Sequence, residues 1–195
     1  MKTKHDWIAN GPKLSAEDAM YDISLATEAH VGEYKKVDVA IIDDLEKGSE
    51  KVTHDTLVTH AKIYGFPPIE LKMALSMYTG ARRIRCGKAL SRAAYTKKGV
   101  LAGCPIAMGL LLLANLKPVD DFWASLPPRI RDNIVVFRVY VDDFIVAFKL
   151  DSNKLSVDEM QTIVAGAYIR LSSAITKTGA NFALGKAESP LPTLS

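Results

Sequence analysis

Asp142 and Asp143 stand between two apolar runs, Ile134 to Tyr140 and Phe144 to Phe148, a hairpin pattern that buries both arms and holds the two charges at a sheet's rim. Adjacent acids on a straight strand face opposite ways, whereas a turn brings both toward one point. A second acidic strand end lies a hundred residues earlier. Val37 to Ile42 is apolar and β-branched apart from Asp38, is too short for a helix, and stops at Asp43-Asp44, so it reads as a buried strand delivering carboxylates at its carboxyl end. Asp in a hairpin turn is also ordinary turn chemistry, and the Asp142-Asp143 pair alone does not separate the two readings. If both segments share one sheet, Asp44, Asp142 and Asp143 converge, while Asp43 is read as solvating the strand end. Three clustered carboxylates repel one another unless a cation neutralises them, and hard oxygen donors suit two Mg²⁺ or Mn²⁺ ions rather than zinc. Two such ions roughly 3.5 to 4 Å apart activate an attacking hydroxyl and stabilise a leaving phosphate oxygen. That is phosphoryl or nucleotidyl transfer, or its hydrolytic counterpart.

Positioning these acids requires a frame, and the periodicity supplies one. Ser15 to Asp18 starts a helix reaching about His30, with Ala19, Met20, Ile23, Ala26 and Thr27 on one face. Leu57, Val58, Ala61 and Tyr64 mark a helix closed by Gly65; Pro67-Pro68 opens another, with Leu71, Ala74, Leu75 and Tyr78 inward and a stop at Gly80. Arg83 to Cys86 and Leu90 to Tyr95 read as hairpin arms turning near Gly87-Lys88. Gly99 to Leu116 carries no charge over 18 residues, but its glycines, Pro105 and Asn115 favour a buried core helix entered through a Gly/Pro-rich loop over a membrane span. The stretch around Pro127-Pro128 reads as irregular. Ser156 to Glu159 is a capping box, and Met160, Ile163, Val164, Ala167, Leu171 and Ala174 give a long amphipathic helix ending near Gly179. The order of elements predicts an α+β fold, one antiparallel sheet with helices on one face, in a single domain over residues 1–195.

Composition agrees. A chain of 195 residues, 48% hydrophobic, fills a real core, and a net charge of +3 announces no partner by itself. Cys86 and Cys104 form no metal-binding or disulfide pattern. The basic start, Met1 to Trp7, runs into no apolar stretch of signal-peptide length, so the expected place is intracellular, nuclear or cytoplasmic, without export. Charge is distributed unevenly: Arg82, Arg83, Arg85, Lys88, Arg92, Lys97 and Lys98 lie in a segment without an acid, and the rest of the chain is net acidic by four. Such a run is often a solvated face. Between two acidic strand ends it also suits phosphate contacts that position a polyanion without reading its sequence, and Tyr95 offers a stacking face beside its role in packing. His54 and His60 read as surface or packing residues rather than ligands.

These residues resemble a known family. Asp44-Leu45-Glu46-Lys47-Gly48-Ser49-Glu50-Lys51-Val52-Thr53-His54-Asp55 resembles the reverse-transcriptase segment D-L-x-K-A-F-D-x-V-x-H-D, with Asp44 on the metal-binding aspartate. Lys98 to Pro105 resembles the R-G-x-P-Q-G-S-P loop beside template and incoming nucleotide, and Tyr140-Val141-Asp142-Asp143 matches the Y-x-D-D hairpin. Gly11 to Ala19 is similar to the G-R-S-T-x-D-A helix, and Gly185 to Glu188 to the N-x-x-K-T-E element, whose lysine, here Lys186, assists pyrophosphate departure. One tetrapeptide is weak; the ordered set spans nearly the whole chain. The wording is nearest to the non-LTR retrotransposon type of RNA-directed DNA polymerase.

The resemblance implies a right-hand polymerase palm, a ferredoxin-like antiparallel sheet with part of the fingers and no thumb, in a partial or degenerate copy. It implies Mg²⁺ or Mn²⁺ on Asp44, Asp142 and Asp143, an RNA template, a DNA primer and a dNTP contacted near Ser49, Gly103, Cys104 and Tyr140. Three departures stand out. Ser49 replaces the aromatic residue that excludes a ribose 2′-hydroxyl, Leu101-Ala102 replaces Pro-Gln, and Cys104 replaces Ser or Thr. Two further readings stay open, a catalytically inactive palm that binds nucleic acid or protein, and a two-metal nuclease or phosphotransferase.

Overall fold

The computed structural model describes residues 21, 24, 25, 36–101 and 103–183. The predicted Ser15 to His30 helix falls largely outside them, as do the Gly11 to Ala19 motif and Lys186. From Lys36 the order is β1 (Lys36–Asp44), α1 (Gly48–Lys51), α2 (His54–Tyr64), α3 (Pro68–Tyr78), β2 (Arg85–Cys86), β3 (Ala89–Leu90), α4 (Ala107–Ser125), α5 (Pro128–Arg131), β4 (Ile134–Tyr140), β5 (Asp143–Asp151) and α6 (Val157–Thr176). Strands β1, β5 and β4 form an antiparallel sheet in that order, with β5 central.

Alternation along the strands decides which face is covered. Val37, Val39 and Ile41 of β1, Phe144, Val146, Phe148 and Leu150 of β5, and Phe137 and Val139 of β4 share one core with Val119 and Phe122 of α4 and Ile163, Ala167, Leu171 and Ile175 of α6. The helices thus lie on one face, as the sequence predicts. A second core gathers Leu57 and Ala61 of α2, Leu71, Ala74 and Tyr78 of α3, and Leu110, Leu111, Leu113 and Ala114 of α4. Helix α4 joins the two cores, its first half serving one and its second half the other. The helix continues through Lys117 and Pro118 to Ser125, longer than the uncharged stretch suggested. No described helix is long and apolar enough to cross a membrane.

Local signals read from the sequence govern several ends. Ser156 and Glu159 form the reciprocal capping box of α6, and Gly65 closes α2 at φ 67°, a left-handed conformation that costs glycine nothing. Four expectations change. Strand β1 is an edge strand, not a buried one, and Ile42 on its open face is 53% exposed, because helices cover only the other face. Asp43 is not solvated but buried at 3% exposure, since its register opposite Phe144 turns it to the core face. The basic hairpin pairs only over Arg85–Cys86 and Ala89–Leu90; outside that ladder, Ser91 Oγ accepts from the Ile84 amide and Arg82 bridges to Ala94. With no core beneath these exposed arms, side chain and isolated backbone bonds replace a regular ladder. Pro128 starts a short helix rather than an irregular loop, its ring being suited to a first helical turn.

Candidate active site

Strand register brings the distant acids together. In the β1/β5 ladder Asp44 lies directly opposite Asp143 and Asp43 opposite Phe144. Opposed residues of an antiparallel pair share a face, so Asp44 and Asp143 lie together on the sheet face away from the helices. Asp142 occupies the turn one residue before. The geometric expectation that the two strand ends meet is therefore realised for Asp44 and the 142–143 bend. Among the described residues, however, no group of three or more His, Cys, Asp or Glu side chains is gathered closely enough to hold a metal ion. The register supplies a carboxylate pair with a third acid beside it in the turn, and hard oxygen donors at an open rim remain the right chemistry for Mg²⁺ or Mn²⁺.

The turn itself is held from three sides. Val141 adopts φ 58°, a strained conformation for a β-branched residue, while its side chain packs against the second core. Asn115, 6% exposed in the middle of α4, donates from Nδ2 to the Val141 carbonyl at 2.8 Å. The Leu45 amide donates to the Asp142 carbonyl at 3.1 Å, tying the exit of β1 to the same turn. Gly48 closes the third side: a Cβ there would lie 3.1 Å from the Cβ atoms of Asp142 and Leu45, and 3.5 Å from Asp142 Oδ2. Asn115 and Gly48 were not singled out by sequence reasoning as functional. The signal for Asn115 was present, a lone amide inside an otherwise apolar helix.

Asp43 does different work from its neighbour. Its Oδ1 accepts from the Asp44 amide at 3.1 Å and its Oδ2 is buried without a hydrogen-bond partner. Burial raises its pKa above the usual carboxylate value, against the lowering effect of the Asp44 amide and the Tyr168 hydroxyl. Tyr168 is itself pushed up, by burial first and then by Asp43. Tyr168 thus sets α6 beside Asp43, behind the carboxylates rather than among them.

The segment after Asp44 and the loop before α4 are strapped to each other. The Val100 amide donates to the Ser49 carbonyl at 2.7 Å, Gly99 to Val52 at 2.8 Å, and His54 to Lys97 at 3.1 Å. The buried His54 ring donates from Nε2 to the Gly99 carbonyl at 3.0 Å. Gly99 has φ 94°, and a Cβ on it would sit 3.4 Å from the Glu50 carbonyl oxygen, so close approach and positive φ both call for glycine. Buried His60 bonds the Leu113 carbonyl at 3.1 Å, so both histidines are packing residues, as expected.

Ser49, Cys104 and Tyr140 are half-buried, and Gly103 is exposed at φ 82° with open space where a side chain would stand. Arg82, Arg83, Arg85, Lys88, Arg92, Lys97 and Lys98 are all exposed. Arg82 also donates to the Tyr78 carbonyl and Arg85 to that of Gly87, bonds that hold those two side chains against their own backbone.

No family model matches the sequence, and no curated protein matches it. Solved structures do. The chain superposes on apo telomerase of Candida tropicalis truncated from its C-terminal domain with a TM-score of 0.61 and 14% identity, covering 93% of this chain and 35% of that one. On apo telomerase of the same organism the TM-score is 0.58 and the identity 13%, over 93% of this chain and 33% of the other. The chain therefore spans about a third of the length of these enzymes. At such identity the likeness is one of fold alone.

Proposed function

We propose that this chain is the palm, with part of the fingers, of an RNA-directed DNA polymerase of non-LTR retrotransposon type, built on a ferredoxin-like sheet. The observation that carries the reading is the β1/β5 register, which sets Asp44 against Asp143 beside the pinned Tyr140-Val141-Asp142-Asp143 turn. Asp44, Asp142 and Asp143 would hold Mg²⁺ or Mn²⁺. When bound, such ions activate a primer 3′-hydroxyl and offset the charge that develops on the transferred and leaving phosphates.

The chain's own groups have separate tasks. Gly103, with no Cβ and space around it, lets backbone approach the nucleotide. Ser49 stands where an aromatic wall would exclude a 2′-hydroxyl, so discrimination against ribonucleotides is weak. Tyr140 and Cys104 would border the same site, and Lys186 would assist pyrophosphate departure. The acid-free basic hairpin and Lys97-Lys98 hold template and primer by their phosphates.

Primer extension on an RNA template with dNTPs and Mg²⁺ tests the reading. Extension that is lost in Asp142→Asn, with thermal unfolding preserved, supports it; equal extension by the variant refutes the catalytic assignment. A second reading, a palm that binds nucleic acid without catalysis, is favoured by the wholly exposed basic hairpin and by the absence of a gathered three-acid group among the described residues. Binding without extension by the unaltered chain selects it. Hydrolysis of labelled nucleic acid in the absence of dNTPs identifies a nuclease instead.

A further inference from the structure

The charge between Arg82 and Lys98 is not answered within the described protein. Lys51 is paired with Glu46, Lys117 with Asp121, Arg129 with Glu159 and Lys154 with Asp151. Among the described residues none of the seven cations of this segment enters such a pair, and all seven are exposed. A second observation concerns what stands between the charges. Ile84, Leu90 and Tyr95, the large apolar side chains of the segment, are 78%, 61% and 73% exposed. One exposed apolar residue is ordinary. Here each of them stands in water, on a hairpin whose ladder is two residue pairs long and which contributes to neither core. Tyr95 is also fixed from both sides. Ala94 and Arg82 exchange backbone bonds of 2.8 Å, and Thr96 Oγ1 donates to the Tyr78 carbonyl at 2.9 Å. Two residues on, the Lys97 carbonyl accepts from the His54 amide, which ties this stretch to the segment that follows Asp44. The backbone around Tyr95 is thus ordered in advance while its ring faces solvent, so little freedom is lost when a ligand lies against it.

We propose that this hairpin grips single-stranded nucleic acid in preference to duplex, its cations holding phosphates and the Tyr95 ring stacking on an unpaired base. The inference rests on the reading of the hairpin as a nucleic-acid surface and narrows the substrate of that surface. Phosphates satisfy the cations but offer nothing to Ile84, Leu90 and Tyr95. In a duplex the base faces are stacked on one another; in a single strand they are open, and every base has a face that stacks on an aromatic ring. Electrostatics alone gives the opposite order, because a duplex carries its phosphates more densely than a single strand. Preference for the single strand therefore reports the base contact and not the charge. Ile84 and Leu90 offer apolar surface to neighbouring bases.

Fluorescence anisotropy on the full chain tests this with a labelled RNA of about 12 nucleotides without self-complementarity, used alone and annealed to its complement. The expected result is single-strand binding roughly tenfold tighter than duplex binding at about 0.15 M salt, the scale of one stacked base. Tyr95→Ala is expected to remove about tenfold from single-strand affinity and to leave duplex affinity unchanged. Tyr95→Phe keeps the ring and is expected to retain the preference. Because the side chain is exposed, thermal unfolding of both variants is expected to match that of the unaltered chain. Duplex binding as tight as single-strand binding, or a single-strand affinity indifferent to Tyr95→Ala, overturns the inference and leaves the nucleic-acid reading of the hairpin standing. Binding of neither form removes that reading and the inference with it; anionic phospholipid vesicles bound in their place would assign the patch to a membrane surface. None of these readouts depends on polymerase activity.

Discussion

Replacing Asn115 by leucine tests whether α4 holds the carboxylate turn in place. The variant keeps the branched shape and heavy-atom count of the side chain and deletes the 2.8 Å bond from Nδ2 to the Val141 carbonyl. A net hydrogen bond is worth roughly 0.5–1.5 kcal/mol, and leaving the part-buried carbonyl unpaired raises the loss toward about 1–3 kcal/mol. Leucine's better helix propensity returns a few tenths. The left-handed Val141 adds to the effect: that conformation costs roughly 1–2 kcal/mol, and the Asn115 bond is one of the contacts that sustain it. The expected net loss is about 1–2 kcal/mol, a fall of roughly 0.5–1 M in urea midpoint at a slope near 2 kcal/mol/M. Hydrogen exchange localises the effect. The Leu45 amide, whose acceptor is the Asp142 carbonyl, is expected to exchange faster by more than the Ala147 amide in mid-strand does. An unchanged midpoint together with unchanged Leu45 protection would refute the claim that α4 clamps the turn.

Gly48→Ala drives a methyl to 3.1 Å from Asp142 Cβ and Leu45 Cβ, so a loss of about 1–3 kcal/mol from overpacking is expected in urea denaturation. A neutral substitution would show that Asp142 yields freely. Glu159, held below its ordinary value of 4.5 by the Ser156 amide and then by Arg129, binds its proton less readily when folded. Its contribution is complete above about pH 4.5 and fades as pH falls through the lower folded value. Glu159→Gln is therefore expected to flatten the acid limb of the stability profile, and an acid limb of unchanged steepness would contradict this. Binding of a short RNA–DNA duplex is expected to weaken steeply with salt, and replacing Arg83, Lys88 and Arg92 by alanine to reduce the logarithmic slope by about 0.9 per residue. A slope indifferent to those changes removes the hairpin from the interface.

Much of the frame was legible because local chemistry and tertiary packing agree. The Ser156–Glu159 box, the Gly65 stop and the apolar arms around Asp142-Asp143 each specify the structure they adopt. Burial of β1 was not legible, because an apolar run is the same whether one or both faces are covered, and only the sheet order shows that Ile42 lies on an uncovered face. The role of Asp43 followed from that order too: a one-residue step in register separates an acid at the rim from an acid beneath the helices. The acids themselves could be named from the strand ends, but their supports could not. Asn115 and Gly48 act through contacts 26 and 94 residues away in sequence, and no short-range pattern encodes such a pairing.

The central claim is that Asp44 and the Asp142-Asp143 turn form one cation site at the open rim of the sheet. Anomalous scattering from crystals soaked in Mn²⁺ tests it directly. The account predicts a peak at coordination distance, about 2 Å, from carboxylate oxygens of Asp44 and of the turn, lost in Asp44→Asn. Mn²⁺ bound elsewhere with this rim empty, or a peak that survives Asp44→Asn unchanged, would contradict it.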